Sequence, residues 1–244
     1  MISDGIFVGY SLDKLVFHKN TNTAFIFIVN LATYMNNISQ CFESLSAKER
    51  IQANNYRTRS LRDQYIMSHG ILRHILSHYT KQSPVNVEFT YNEYGKPFLK
   101  DSNIQFNMSH SHNMASFVVA LDCRVGIDIE LHNDNLDVQE LEDLVLTSKE
   151  SKYLSNLKPK EKLKLFYDLW TKKEALIKAT GQGLAYPINT IEAIDLLSGQ
   201  GIFLANEKNE LQQEWYCYEL QTPKDYSGSI AIDRKIDEII YLER

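Results

Sequence analysis

Val125-Gly126-Ile127-Asp128-Ile129-Glu130 alternates strictly: Val125, Ile127 and Ile129 take one face of a strand, and Gly126, Asp128 and Glu130 take the other. Residues two apart on a strand lie roughly 6.5–7 Å apart, so the two carboxylates point the same way and a hard cation can sit between them. The bland reading is a pair of solvent-facing acids on an edge strand. Gly126, on the same face, leaves room for a ligand to approach the backbone. A second stretch, Trp170-Thr171-Lys172-Lys173-Glu174-Ala175-Leu176-Ile177-Lys178, has helical spacing. Glu174 and Lys178 are four apart and share a face, either as an exposed ion pair or as a carboxylate and an ammonium that grip a metal and a phosphate together. Trp170, Leu169, Phe166 and Ile177 read as core on the opposite side.

Working outward, Thr23 to Leu31 is a buried strand, rich in β-branched and aromatic residues. Ser46 with Glu49 three residues on forms a capping box that opens a helix, and a second helix carries Tyr65, Ile66, Ile71, Leu72, Ile75 and Leu76 at helical spacing. Val85 to Thr90 reads as a strand, Asn92 to Pro97 as a turn, and Ile104 to Met108 and Met114 to Leu121 as strands. Thr147 or Ser148 caps a helix that Lys158-Pro159 interrupts. Leu163 to Ala179 is the strongest helix, ending at Gly181 and Gly183. Strands follow at Thr190 to Leu197, Gly201 to Leu204, Glu214 to Leu220, Ser229 to Ile232 and Glu238 to Leu242. The order predicts an α+β fold of two similar α+β halves in one chain, residues 1–130 and 131–244.

Composition narrows the class. The 244 residues allow one large or two small domains, and a net charge of -5 argues against a general nucleic-acid binder. Three widely spaced cysteines, Cys41, Cys123 and Cys217, without a CxxC, fit reduced thiols in a cytoplasmic setting. No apolar run approaches the roughly 20 residues of a membrane span, and the N-terminus lacks the layout of a signal peptide. A cytoplasmic protein without membrane or nucleic-acid partners is expected.

Other chemistries fit less well. His110 and His112 lack a third soft ligand for a transition metal, and the carboxylates favour magnesium. The Ser109-His110-Ser111 loop reads better as a phosphate cradle. Neither a GxSxG elbow nor a Walker loop is present. Lys158, Lys160, Lys162, Lys164, Lys172 and Lys173 crowd one region of an acidic chain, either as a solvated face or as a surface that steers an acidic partner.

Four segments together resemble the 4'-phosphopantetheinyl transferases, in the larger surfactin-type (Sfp-type) branch: Tyr94-Gly95-Lys96-Pro97-Phe98, Phe106-Asn107-Met108-Ser109-His110-Ser111, Gly126 to Glu130, and Trp170 to Leu184. The resemblance implies two pseudo-symmetric α+β halves with the active site at their interface, in a monomer. It implies transfer of the phosphopantetheine arm of coenzyme A to a serine of an apo acyl or peptidyl carrier protein, releasing adenosine 3',5'-bisphosphate. By the same carry-over Asp128, Glu130 and Glu174 hold Mg²⁺, and Lys178 contacts the diphosphate of the co-substrate coenzyme A. Ser109 and His110 contact its adenosine-end phosphates, and Lys96 lines the same cleft. Glu174 or a water on the metal is the base. Lys48 and Arg50 are the basic residues offered to the 3'-phosphate, although Glu49 and Gln52 stand where relatives often carry lysine. The chain also departs at His112, where the family often has glycine. Carrier proteins of this kind are acidic, so the lysines around Lys172 and Lys173 are expected to help docking. The alternatives are a non-catalytic coenzyme A or carrier-binding module of the same fold, and another magnesium-dependent enzyme that cleaves a diphosphate.

Overall fold

A computed structural model describes residues 22–183, 186–194, 200–204 and 214–242. Alternation along the strands explains how its layers stack. In β1 (Thr23–Asn30), Phe25, Phe27 and Val29 join one core and Ala24 and Ile26 another. β5 (Met114–Leu121) does the same, with Phe117 and Val119 on one side and Val118 and Ala120 on the other. Both strands lie in a sheet ordered β10 (Glu238–Leu242), β1, β5, β4 (Ile104–Ser111). Its outer face is covered by α3 (Arg59–Thr80), through Ile66, Ile71, Leu72, Ile75 and Leu76.

The second sheet runs β6 (Val125–Leu131), β9 (Tyr226–Ile232), β8 (Glu214–Glu219), β7 (Gln200–Leu204). Val125, Ile127, Tyr218, Ile230 and Ile232 pack against the inner face of the first sheet. Trp215, Cys217 and Ala231 face α6 (Pro159–Thr180) through Phe166, Leu169, Leu176 and Ala179. The result is helix, sheet, sheet, helix, a mixed α+β architecture in which each sheet carries one 22-residue helix on its outer face. Two strands sit across the expected division at Glu130. β6 belongs wholly to the second sheet, and β10 returns to pair in parallel with β1, Thr23 opposite Glu238. No helix among the described residues is long and apolar enough to cross a membrane.

Local signals hold where the chemistry is local. Ser46 and Glu49 form the capping box of α2 (Ala47–Asn54), and Thr147 with Glu150 forms that of α5 (Ser148–Leu154). Pro159 opens α6 at its first turn rather than ending a helix, because its missing N–H costs nothing there. The strand expected at Val85–Thr90 shrinks to β2 (Phe89–Tyr91), paired with β3 (Pro97–Leu99). The buried Arg73 takes the Pro84 and Val87 carbonyls at 2.8 and 3.0 Å, so these carbonyls serve a guanidinium instead of a ladder. The strand expected at Thr190–Leu197 is not formed over its described part. Ile188–Thr190 is a 3-10 turn, and the Ala193 N–H donates to Glu150 Oε1 at 2.7 Å. Residues 195–197 of that expectation, and Leu184 of the last motif, lie outside the described residues.

Candidate functional site

β4 and β6 are edge strands of different sheets that run side by side, and side chains of β4 stitch them together. An edge strand leaves every second N–H without a backbone partner. On β6 the Ile127 N–H donates to Asn107 Oδ1 at 3.0 Å and the Leu131 N–H to Ser111 Oγ at 3.1 Å. Between them Ser109 Oγ donates to Asp128 Oδ1 at 2.7 Å, and Ser111 Oγ donates to Glu130 Oε2 at 2.7 Å. The odd residues of β4 thus face β6, while Ile104, Phe106 and Met108 face the α3 core. The hairpin that follows turns through His112 at φ 52, a left-handed backbone that glycine adopts without strain.

α6 lies over the same face of β6. A Cβ at Gly126 would stand 2.1 Å from the Ala175 carbonyl and 2.4 Å from the Ala179 nitrogen. Gly126 therefore admits the helix and not a ligand, which corrects the sequence reading. Gly126→Ala has only backbone to push against. It is expected to cost at least about 3 kcal/mol and to move Glu174 and Lys178 away from Asp128. Thermal melts, together with the rate of the reaction proposed below, check both effects.

Trp170, Glu174 and Lys178 occupy successive turns of one half-buried stripe of α6. With Met108, Ser109, His110, Asp128 and Glu130 they line one cleft of about 390 Å³. Trp170, assigned to the opposite side from sequence, forms part of this wall. Its spacing of four from Glu174 was the signal that places it there. Lys178 Nζ donates to Asp128 Oδ1 at 2.6 Å and to Ser109 Oγ at 2.8 Å.

Three carboxylates share this partly buried space. Burial, then the charge of Asp128, pushes the Glu130 carboxyl up to about 7 against the hydrogen bond from Ser111. The same two causes hold Glu174 above its ordinary value. Burial and the nearby Lys178 push the His110 imidazole down, so it is neutral near physiological pH. For Glu130 the folded protein binds the proton more tightly than the unfolded chain. Its contribution to stability therefore falls as pH rises from 4.5 to about 7, and the penalty is fully present above that. In chelator at about pH 8, Glu130→Gln is expected to raise the melting temperature by about 4 °C and to flatten its fall with pH. A melt series across that window checks the sign.

The donor set fits a hard cation. Asp128 is 2% exposed, and its Oδ2 is buried with no hydrogen-bond partner among the described residues. A buried carboxylate oxygen left this way is costly unless a ligand satisfies it. Carboxylate oxygens suit Mg²⁺, which tolerates a partial protein shell completed by substrate oxygens. Among the described residues, no three His, Cys, Asp or Glu side chains form a ready-made cage.

Other expected residues lie elsewhere. Lys96 is not in the cleft wall. Its Nζ donates to the carbonyls of Val125 and Ala179, both at 3.0 Å, and burial pushes its ammonium down to about 8. Asn92 Nδ2 donates to the Gly181 carbonyl at 2.8 Å, so the Asn92–Pro97 turn caps the C-terminus of α6. Lys48 is exposed on α2. Arg50 donates to the Glu43 carbonyl at 2.6 Å and lies over the Phe42 ring. Neither lines the cleft. Glu49 accepts from Ser46 and from Arg73 Nε at 2.7 Å, a structural post for an acid.

Lys172 and Lys173 are no docking surface: they are 1% and 0% exposed. Lys172 pairs with Glu219 at 2.7 Å, and Lys173 pairs with the fully buried Glu150 at 2.5 Å. Lys158, Lys160 and Lys164 are the exposed members of that run.

Residues 124–231 match the 4'-phosphopantetheinyl transferase superfamily. Among curated proteins, the chain is 37% identical over 146 residues to the 4'-phosphopantetheinyl transferase HetI of Nostoc sp., covering 58% of this chain and 62% of that one. It is 36% identical over 125 residues to the 4'-phosphopantetheinyl transferase gsp of Aneurinibacillus migulanus, covering 51% of each. A 4'-phosphopantetheinyl transferase of Bacillus subtilis is 33% identical over 110 residues, covering 44% of this chain and 47% of that one. The similarity therefore spans about half to three fifths of the length of these relatives.

Proposed function

The match is to the 4'-phosphopantetheinyl transferase superfamily, and on that premise we propose that this protein transfers the 4'-phosphopantetheine arm of coenzyme A to a serine of an apo acyl or peptidyl carrier protein. Adenosine 3',5'-bisphosphate is the other product. One observation carries the reading: Asp128, Glu130, Glu174 and Lys178 line a single cleft, in which one buried oxygen of Asp128 awaits a partner.

Mg²⁺ bound by Asp128, Glu130 and Glu174 would neutralise the diphosphate of coenzyme A and draw electron density from the phosphorus under attack. The chain's own groups do the rest. Lys178 is fixed by Asp128 and Ser109, and its cation stabilises the negative charge that builds on the departing phosphate. His110, neutral, offers an N–H to a phosphate oxygen without adding charge. Glu174 is the chain's own group placed to take the proton of the attacking serine hydroxyl, the other candidate being a water on the metal. As the serine oxygen bonds to the phosphorus that bears pantetheine, the bond from that phosphorus to the bridging oxygen breaks. Trp170 forms part of the cleft wall beside Glu174. Both sheets supply this cleft from one chain, so a monomer is the simplest working form.

The test is the intact mass of an apo carrier protein incubated with this protein, coenzyme A and Mg²⁺. A gain of one phosphopantetheine supports the transfer. No gain across acyl and peptidyl carriers, with coenzyme A still bound, would turn the reading to the non-catalytic binding module.

A further inference from the structure

Ser111 lies at the end of β4, paired across the hairpin with Met114 of β5. Its hydroxyl has one proton to give and two lone pairs to receive with. The Leu131 N–H can only donate, and it does so at 3.1 Å. The proton of Ser111 therefore goes to Glu130 Oε2, at 2.7 Å. One hydroxyl thus ties the carboxylate of Glu130 to the backbone of the residue that follows it. Ser111 is set in turn by the first sheet, whereas Glu130 belongs to the second.

Asn107 makes only the backbone half of this arrangement, holding the Ile127 N–H. Ser109 makes only the side-chain half on β6, holding Asp128, and shares its hydroxyl with Lys178. Ser111 makes both, at the point where β6 nears its end and Glu130 is only half-buried. Untethered, a long side chain on an edge strand would populate several rotamers.

We propose that Ser111 is a positioning residue that holds the Glu130 carboxylate in place for a divalent cation, so that a serine of one sheet presets a metal ligand carried by the other. The inference rests on the assignment of Glu130 to the metal. Residues that orient a ligand from behind commonly govern affinity almost as strongly as the ligand itself.

Mn²⁺ is the probe, its binding to the whole 244-residue chain followed by electron paramagnetic resonance, without coenzyme A or carrier. Ser111→Ala is expected to weaken Mn²⁺ binding about tenfold, with Ser111→Thr restoring it. A second pair, Ser111→Thr against the isosteric Ser111→Val, isolates the hydroxyl if the alanine variant folds poorly. Should Mn²⁺ bind the alanine and valine variants as tightly as wild type while Glu130→Gln weakens it, Ser111 is structural only and the inference is overturned. Should Glu130→Gln bind Mn²⁺ like wild type, Glu130 is not a ligand, and the metal assignment falls together with the inference.

Discussion

Asp128→Asn is expected to slow the proposed modification of a carrier protein roughly a thousandfold, a barrier increase of about 4 kcal/mol, in a protein that remains folded. The substitution is isosteric, and an amide oxygen can still accept from Ser109 or Lys178 where Oδ1 does now. What disappears is the charge. Lys178 loses the anion that fixes its ammonium, and the buried oxygen without a protein partner becomes an amide nitrogen that repels a cation. The carboxyls of Glu130 and Glu174, held up in part by Asp128, should also relax toward ordinary values. Rates from intact carrier mass, with a thermal melt and a titration of Glu130 by NMR, separate these effects. A variant within about tenfold of wild-type rate would remove Asp128 from the chemistry.

Lys173→Glu should unfold the protein. The ammonium is fully buried, against Glu150 Oε2 at 2.5 Å and the Val145 carbonyl at 2.7 Å. Glu150 also takes the N–H groups of Thr147 and Ala193, so it joins the cap of α5, the middle of α6 and the segment before β7. Breaking a buried pair by removing one partner costs about 3–5 kcal/mol, and placing two carboxylates there costs more, against a total stability of about 5–15 kcal/mol. Lys173→Met isolates the lost partner and should lower the melting temperature by about 10 °C. Lys172→Met should cost less, because Glu219 is half exposed and can turn to water. If Lys173→Glu melts like wild type, the ion pair does not hold the fold.

That pair also shows what one-dimensional reading misses. Burial of Lys172 and Lys173 depends on Glu219 and Glu150, from a strand and a helix far along the chain. Nothing in the local run of lysines distinguishes a solvated face from a covered one. Gly126 is a similar case: its missing Cβ was legible, but the helix that fills the space arrives some fifty residues later. Lys96 reads as lining the cleft until the carbonyls of Val125 on β6 and Ala179 on α6 claim its protons. By contrast, the alternation of β6, the helical spacing of Glu174 and Lys178, and the two capping boxes at Ser46 and Thr147 depend on near neighbours. Those features carried both the architecture and the heart of the cleft.

The parallel pairing of β1 with β10 bears on how the chain comes off the ribosome. β1 is made among the first of the described elements, yet one of its edges stays open until Glu238–Leu242 has been synthesised. Throughout that interval the nascent chain exposes an unpaired apolar strand, the kind of edge that recruits a neighbour. The contact that closes it spans nearly the whole described length, and such late closure slows folding. The seam between β4 and β6 is thus held by a fold that is only completed when β10 docks on β1.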